Sequence, residues 1–206
     1  MTSGSDEHGP NQAKPGASSL GWSVESTQYL HRSLWHDVRQ DRLELPGGRD
    51  AVYTYVEHPG SVFVVPFDER MNVLLIRSYR YTIDRYCWEV VAGGLGDRPG
   101  VEPSTVARDE LLEELGARCE QLVPIGDVWF ANGFADYRAR MFAAFGVRIS
   151  DRTSLEPTEV ISEVRSVTID ECNAMLRSGE ITDGESALAL RAALDHVLAS
   201  GNGADA

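Results

Sequence analysis

Between Trp88 and Gly116 the sequence runs as a short strand, a glycine-rich loop and a helix carrying Glu110, Glu113 and Glu114. No other stretch constrains the fold as much. Trp88-Glu89-Val90-Val91 has strand character, and Ala92 to Gly100 is dense in Gly and Pro, which favours turns. Val106, Leu111, Leu112 and Leu115 then form an apolar side, with Ser104 or Thr105 able to cap the helix start and Gly116 to end it. Residues at i, i+3 and i+4 share one helical face, so the three glutamates point the same way. Carboxylates this close repel one another unless water or a cation lies among them. Mg²⁺ is held by one or two carboxylates together with phosphate oxygens, so the arrangement suits metal-assisted attack of water on a diphosphate. A solvated acidic helix face has the same letters. The preceding strand and glycine loop are what favour the metal.

The other elements can be placed around this segment. Leu43 and Leu45 alternate, Pro46-Gly47-Gly48 forms a turn and Val52 to Tyr55 follows, within a strand-like stretch from Tyr29 to Tyr55. Ser61–Pro66 and Val73–Arg77 are two β-rich runs separated by an Asp68–Asn72 turn. Strands are expected around Leu122–Val128, Ala139–Phe145 and Val164–Ile169, and helices over about Asp170–Ser178 and Glu185–Ala199. The order implies an α/β sandwich with a mixed sheet. Residues 1–20 and 200–206 are polar, Gly- and Ser-rich tails expected to be disordered. Between them, 21–58 reads as an N-terminal β region and 59–199 as the main domain.

The formal net charge is −13, and no Lys/Arg cluster offers a nucleic-acid surface. Cys87, Cys119 and Cys172 have no metal-binding spacing and read as free thiols of a reducing compartment. No signal peptide and no apolar run of membrane-spanning length is seen, so a cytoplasmic protein is expected.

The segment resembles the Nudix box, G-x5-E-x7-R-E-U-x-E-E-x-G-U, with U a bulky aliphatic residue. Gly93 begins the match, and Glu110-Leu111-Leu112-Glu113-Glu114-Leu115-Gly116 gives its second half. The loop after Gly93 is two residues longer than the pattern. Val101 stands where the first Glu belongs, beside Glu102, and Asp109 stands where the Arg belongs, beside Arg108. Ala117 is smaller than the closing aliphatic residue.

Residues 41–48, 56–62, 75–81, 88–95 and 178–183 are similar to the ADP-ribose pyrophosphatase group. The resemblance implies a Nudix-type α/β/α sandwich with a small N-terminal β extension used in dimerisation. It also implies Mg²⁺, or Mn²⁺, on Glu110, Glu113, Glu114 and the carbonyl of Ala92 or Gly93. The implied activity is cleavage of a nucleoside diphosphate sugar such as ADP-ribose into a nucleoside monophosphate and a sugar phosphate.

Arg77 and Arg80 suit phosphate oxygens or an ion pair, and the resemblance implies that Glu89 lies near the metal or an Arg partner, the other reading being a plain strand-edge residue. The resemblance also implies a loop glutamate that takes the proton of the attacking water, Glu159 first and then Glu156, or else solvated loop carboxylates at both positions, with Glu113 and Glu114 as the other catalytic carboxylates. Trp35 or Tyr29 would stack on the base, or pack in the core. Ala131-Asn132-Gly133 stands where the group has Ser-Pro-Gly. The other readings are a hydrolase of another nucleoside diphosphate derivative or of a specialised-metabolism intermediate, and a non-catalytic nucleotide-binding module.

Overall fold

A computed structural model describes residues 14–96, 98–150 and 160–201. They fold as two compact units. One comprises the residues through Pro59 together with Ala131–Tyr137, and the other Gly60–Phe130 with the residues from Arg138 onward.

The first unit opens with helix α1 (Pro15–Ser19), a single turn inside the stretch read as a polar tail. Strands β1 (Ser23–His31), β2 (Asp37–Leu45) and β3 (Arg49–Glu57) follow in an antiparallel meander. The expected hairpin is β2–β3. The chain turns at Gly47 and Gly48, whose φ values of 86° and 70° are the left-handed region that favours glycine. Strand β1 starts earlier than the periodicity from Tyr29 indicates. It is tied to β2 where Thr27 donates to Asp41 at 2.7 Å, while Arg39 of β2 bridges Asp41 at 2.9 Å and Glu57 of β3 at 3.0 Å. Ala135 and Asp136 complete the unit, running parallel to Val56 and Glu57.

The second unit has strands β4 (Ser61–Asp68), β5 (Val73–Arg80), β6 (Arg85–Glu89) and β7 (Val91–Gly94). Helix α2 (Pro103–Leu115) comes next, then β8 (Ala117–Arg118), β9 (Gln121–Phe130) and β10 (Ala135–Ile149), which enters this unit at Arg138. Strand β11 (Ile161–Val167) and helices α3 (Ile169–Ser178) and α4 (Gly184–Gly201) follow. Strand β4 lies between β10, to which it is parallel, and β7, to which it is antiparallel. Strand β5 pairs antiparallel with β6 and β11. The sheet is therefore mixed.

Ser61 to Phe67 is buried at every position, as a strand covered on both faces must be. Val62 and Val64 pack with Val106, Ala107, Leu111 and Leu115 of α2. Alternation sends Phe67 to the opposite face. There it stacks on Phe145, centroids 5.2 Å apart, with His196 of α4 beyond. This is the expected α/β/α sandwich.

Helix α2 differs from expectation at its start. Glu102 is the N-cap and makes no side-chain cap bond, while Pro103 opens the helix. Proline has no N–H to satisfy there and its ring presets the helical φ, so Ser104 and Thr105 fall inside the first turn. Gly116 ends the helix at φ 61°. Helix α3 has a full capping box, Thr168 with Glu171.

Candidate active site

The single strand read over Trp88–Val91 is two strands. Strand β6 ends at Glu89 on β5, and β7 begins at Val91 on β4. Val90 belongs to neither, and its N–H donates to the buried Ser186 hydroxyl at 3.1 Å. Ser186 is set by the Asp183 carboxylate, which accepts from its N–H at 2.8 Å at the start of α4. The switch lets one short segment serve two places.

The first place is Glu89. Its side chain is only 1% exposed and is gripped by Arg80, whose Nε donates to both carboxylate oxygens at 2.9 Å and whose Nη2 donates to Oε2 at 2.5 Å. Burial pushes the Glu89 carboxyl above the usual range, and Arg80 pulls it back. Glu89 holds Arg80 protonated, with Glu114 and Asp183 adding to the negative field. Burial and the Asp183 carboxylate also raise the Glu185 carboxyl. Arg77 is exposed and lies over the Tyr86 ring, 5.1 Å from its centroid.

Arg80→Ala is expected to destabilise the fold by about 3 kcal/mol, since it strands a buried carboxylate. Without the guanidinium, burial and the Asp183 carboxylate act on Glu89 unopposed, and its folded-state pKa rises further above the unfolded value. A group raised in this way favours folding at low pH and loses that contribution as pH rises through its folded pKa. Thermal unfolding should therefore show a larger deficit at pH 8 than at pH 5. An equal deficit at both would mean that Glu89 is not the stranded group.

The second place is the contact of β7 with α2. Glu110 and Glu114 are 6% and 5% exposed. Ala92 N–H donates to Glu114 Oε2 at 3.1 Å. A Cβ on Gly93 would stand 1.9 Å from Glu110 Oε1 and 2.1 Å from its Cδ, so only glycine admits the carboxylate this close to the strand. Glu113 is placed differently. It is half-exposed and accepts from Arg98 Nη2 at 3.0 Å, while Arg98 Nη1 donates to Asp109 Oδ2 at 3.0 Å.

The structure thus brings Ala92, Gly93, Glu110 and Glu114 together, and Arg80 with Glu89. Glu113 faces the loop arginine. Trp35 is in the first unit and 45% exposed, so it is not a core residue. Glu159 and Glu156 lie outside the described residues. Arg98, Asp183 and Ser186 were not foreseen. One feature pointed to Arg98: an acidic Asp109 at the box arginine's position calls for a cation, and Arg98 is the sole basic residue from Gly93 to Glu102.

Among the described residues no three His, Cys, Asp or Glu side chains are grouped as a cage for an ion. Mg²⁺ does not need one, because it keeps waters and takes substrate oxygens. Two buried carboxylates against a glycine-lined strand are hard oxygen donors of the right kind, and the residues fit such an ion.

Residues 57–187 match the NUDIX domain family. The chain belongs to the Nudix family. It is 32% identical to an ADP-ribose pyrophosphatase of Mycobacterium tuberculosis over 158 residues, 77% of this chain and 76% of that protein. An ADP-ribose pyrophosphatase of Bacillus subtilis is 29% identical, covering 75% and 83%. A CMP-5'-(N-acetyl-N-hydroxy-3-aminopropyl)phosphonate hydrolase of Streptomyces rubellomurinus is also 29% identical, covering 85% and 83%. The fold matches the crystal structure of an ADP compounds hydrolase with a TM-score of 0.76 at 20% identity, over 87% of this chain and 96% of that one. This Nudix protein is a hydrolase of the ADP-ribose pyrophosphatase-like group, within a family that generally uses divalent metals. Among its described residues no helix is long and apolar enough to cross a membrane.

Proposed function

We propose that this Nudix hydrolase cleaves the diphosphate bond of a nucleoside diphosphate sugar such as ADP-ribose, giving a nucleoside monophosphate and a sugar phosphate. The observation that carries this reading is the pair of buried carboxylates, Glu110 and Glu114, seated on Ala92–Gly93. Glu110, Glu113, Glu114 and the Ala92 carbonyl are the groups that would hold Mg²⁺, or Mn²⁺ in its place. When bound, the ion neutralises the diphosphate and activates water.

The chain's own residues do the rest. Glu110 and Glu114 keep their positions through the strand backbone. Arg77 is exposed and its guanidinium suits a phosphate oxygen. Arg80 is engaged by Glu89 through Nε and Nη2, which makes it a brace for that buried carboxylate as well as a charge beside the site. Glu159 is assigned the proton of the attacking water, and Trp35 the face of the base. Water attacks one phosphorus, the bridging P–O bond breaks, and two phosphomonoesters leave.

A homodimer through residues 21–58 belongs to the same reading. The exposed Leu30, Val52 and Tyr53 of that region support it. A small molecule, rather than nucleic acid or membrane, is the partner.

The test is phosphate release from a panel of nucleoside diphosphate sugars in the presence of alkaline phosphatase, with and without Mg²⁺. Turnover of no member would remove the proposal. A second reading, in which the substrate is a different nucleotide conjugate, is favoured by the Ala131-Asn132-Gly133 turn, where Ala131 adopts φ 51°. The panel therefore includes CMP conjugates, and a preference for one of these selects the second reading.

A further inference from the structure

We infer that Arg98 is a positioning residue that orients Glu113, and that its pairing with Asp109 lets it do so without adding net charge. The inference rests on the metal-dependent reading above.

Asp109 and Glu113 are four residues apart and therefore neighbours on the surface of α2. The Arg98 guanidinium spans them, giving one nitrogen to each at 3.0 Å. A planar fork held at two points is fixed in direction as well as position. The loop braces it from behind, since Arg98 N–H donates to Leu95 O at 3.3 Å and Val101 N–H donates to Arg98 O at 3.2 Å.

Glu113 needs such a restraint more than its two neighbours do. Glu110 is confined by the Gly93 backbone and Glu114 by the Ala92 N–H, and both are buried. The Glu113 side chain is 35% exposed and, among the described residues, takes no hydrogen bond from a strand. Left to itself it would sample several rotamers. Arg98 engages only Oε1, so among the described residues Oε2 keeps its lone pairs for a cation or its water.

Charge explains why the second contact matters. An uncompensated guanidinium beside a carboxylate would repel a divalent ion from it. Asp109 cancels that charge, so Glu113 gains an orientation and the site keeps its negative potential.

The test measures Mn²⁺ binding to the full-length, substrate-free protein by water-proton relaxation, with thermal unfolding recorded alongside. Arg98→Ala is expected to weaken binding about 10-fold, the scale of losing a residue that orients a ligand, with little change in Tm. Arg98→Lys should recover part of the loss, because an ammonium cannot fork. Arg98→Asp removes the same orienting contact and is the reference for the exchanged pair. Adding Asp109→Arg to Arg98→Asp should recover most of the affinity, since the exchanged pair again sets a guanidinium four residues from Glu113. Wild-type affinity in Arg98→Ala, or no recovery in the exchanged double variant, would overturn the role of Arg98 alone. A wild-type protein that binds no Mn²⁺ would overturn the metal reading and this inference together.

Discussion

Glu114→Gln is expected to lower kcat by about 10³-fold while leaving the fold intact. Glutamine has nearly the shape of glutamate and keeps a carbonyl oxygen for the Ala92 N–H, so the 3.1 Å bond survives the change. What disappears is a negative charge in a position only 5% exposed. Stabilisation of charge by a held cation is worth several kcal/mol, and each 1.4 kcal/mol or so is tenfold in rate. The same charge is a burden when no cation is present, because a buried carboxylate has lost water. In metal-free protein the Tm of the variant should equal or exceed that of the wild type. The two readings belong together: turnover at saturating Mg²⁺, and unfolding in chelator. Full activity in Glu114→Gln would mean that the chemistry lies elsewhere.

Gly93→Ala separates the site from the fold in a different way. The added Cβ would sit 1.9 Å from Glu110 Oε1, 2.1 Å from Cδ and 2.6 Å from Cγ, distances no non-bonded Cβ contact tolerates. All three are side-chain atoms, so the backbone need not move. Glu110 swings away instead. A catalytic group displaced by about 1 Å costs on the order of 10²-fold in rate, so kcat should fall by about that much. Crowding in a packed interior costs about 1–3 kcal/mol, and here the lower end applies because one flexible side chain yields. Activity is thus expected to fall far more than stability. A variant that unfolds readily yet keeps its specific activity would show that the Gly93 contact serves packing rather than the position of Glu110.

The elements that could be read from the sequence are those decided by neighbours in the chain. Ser61 to Phe67 is apolar throughout and forms a strand covered on both faces. Gly116 ends α2, since the left-handed turn is a local matter. Glu110 and Glu114 share a face because helical spacing requires it. What could not be read depends on distant partners. The break at Val90 needs the Ser186 hydroxyl, 96 residues further on. Ala135 and Asp136 join the first unit through a parallel pairing with β3, which nothing local in the segment announces. Glu113 meets Arg98 because a lengthened loop folds back onto the helix, and a helical wheel shows nothing of that loop.

The division of labour around Val90 also bears on how such a chain can vary. Glu89 must face Arg80, and Gly93 must face Glu110, with only Val90, Val91 and Ala92 between them. Val90 is held by Ser186 and β7 begins at Val91, where side chains alternate, so adding or deleting one residue between Val91 and Gly93 would turn the Gly93 contact with Glu110 to the wrong face. Across the loop from Leu95 to Glu102 no such parity applies, and two extra residues relative to the family pattern are already accommodated. Insertions can accumulate on one side of the glutamate cluster and not on the other, so lineages descending from this protein are free to lengthen the loop but must inherit the strand at its present length.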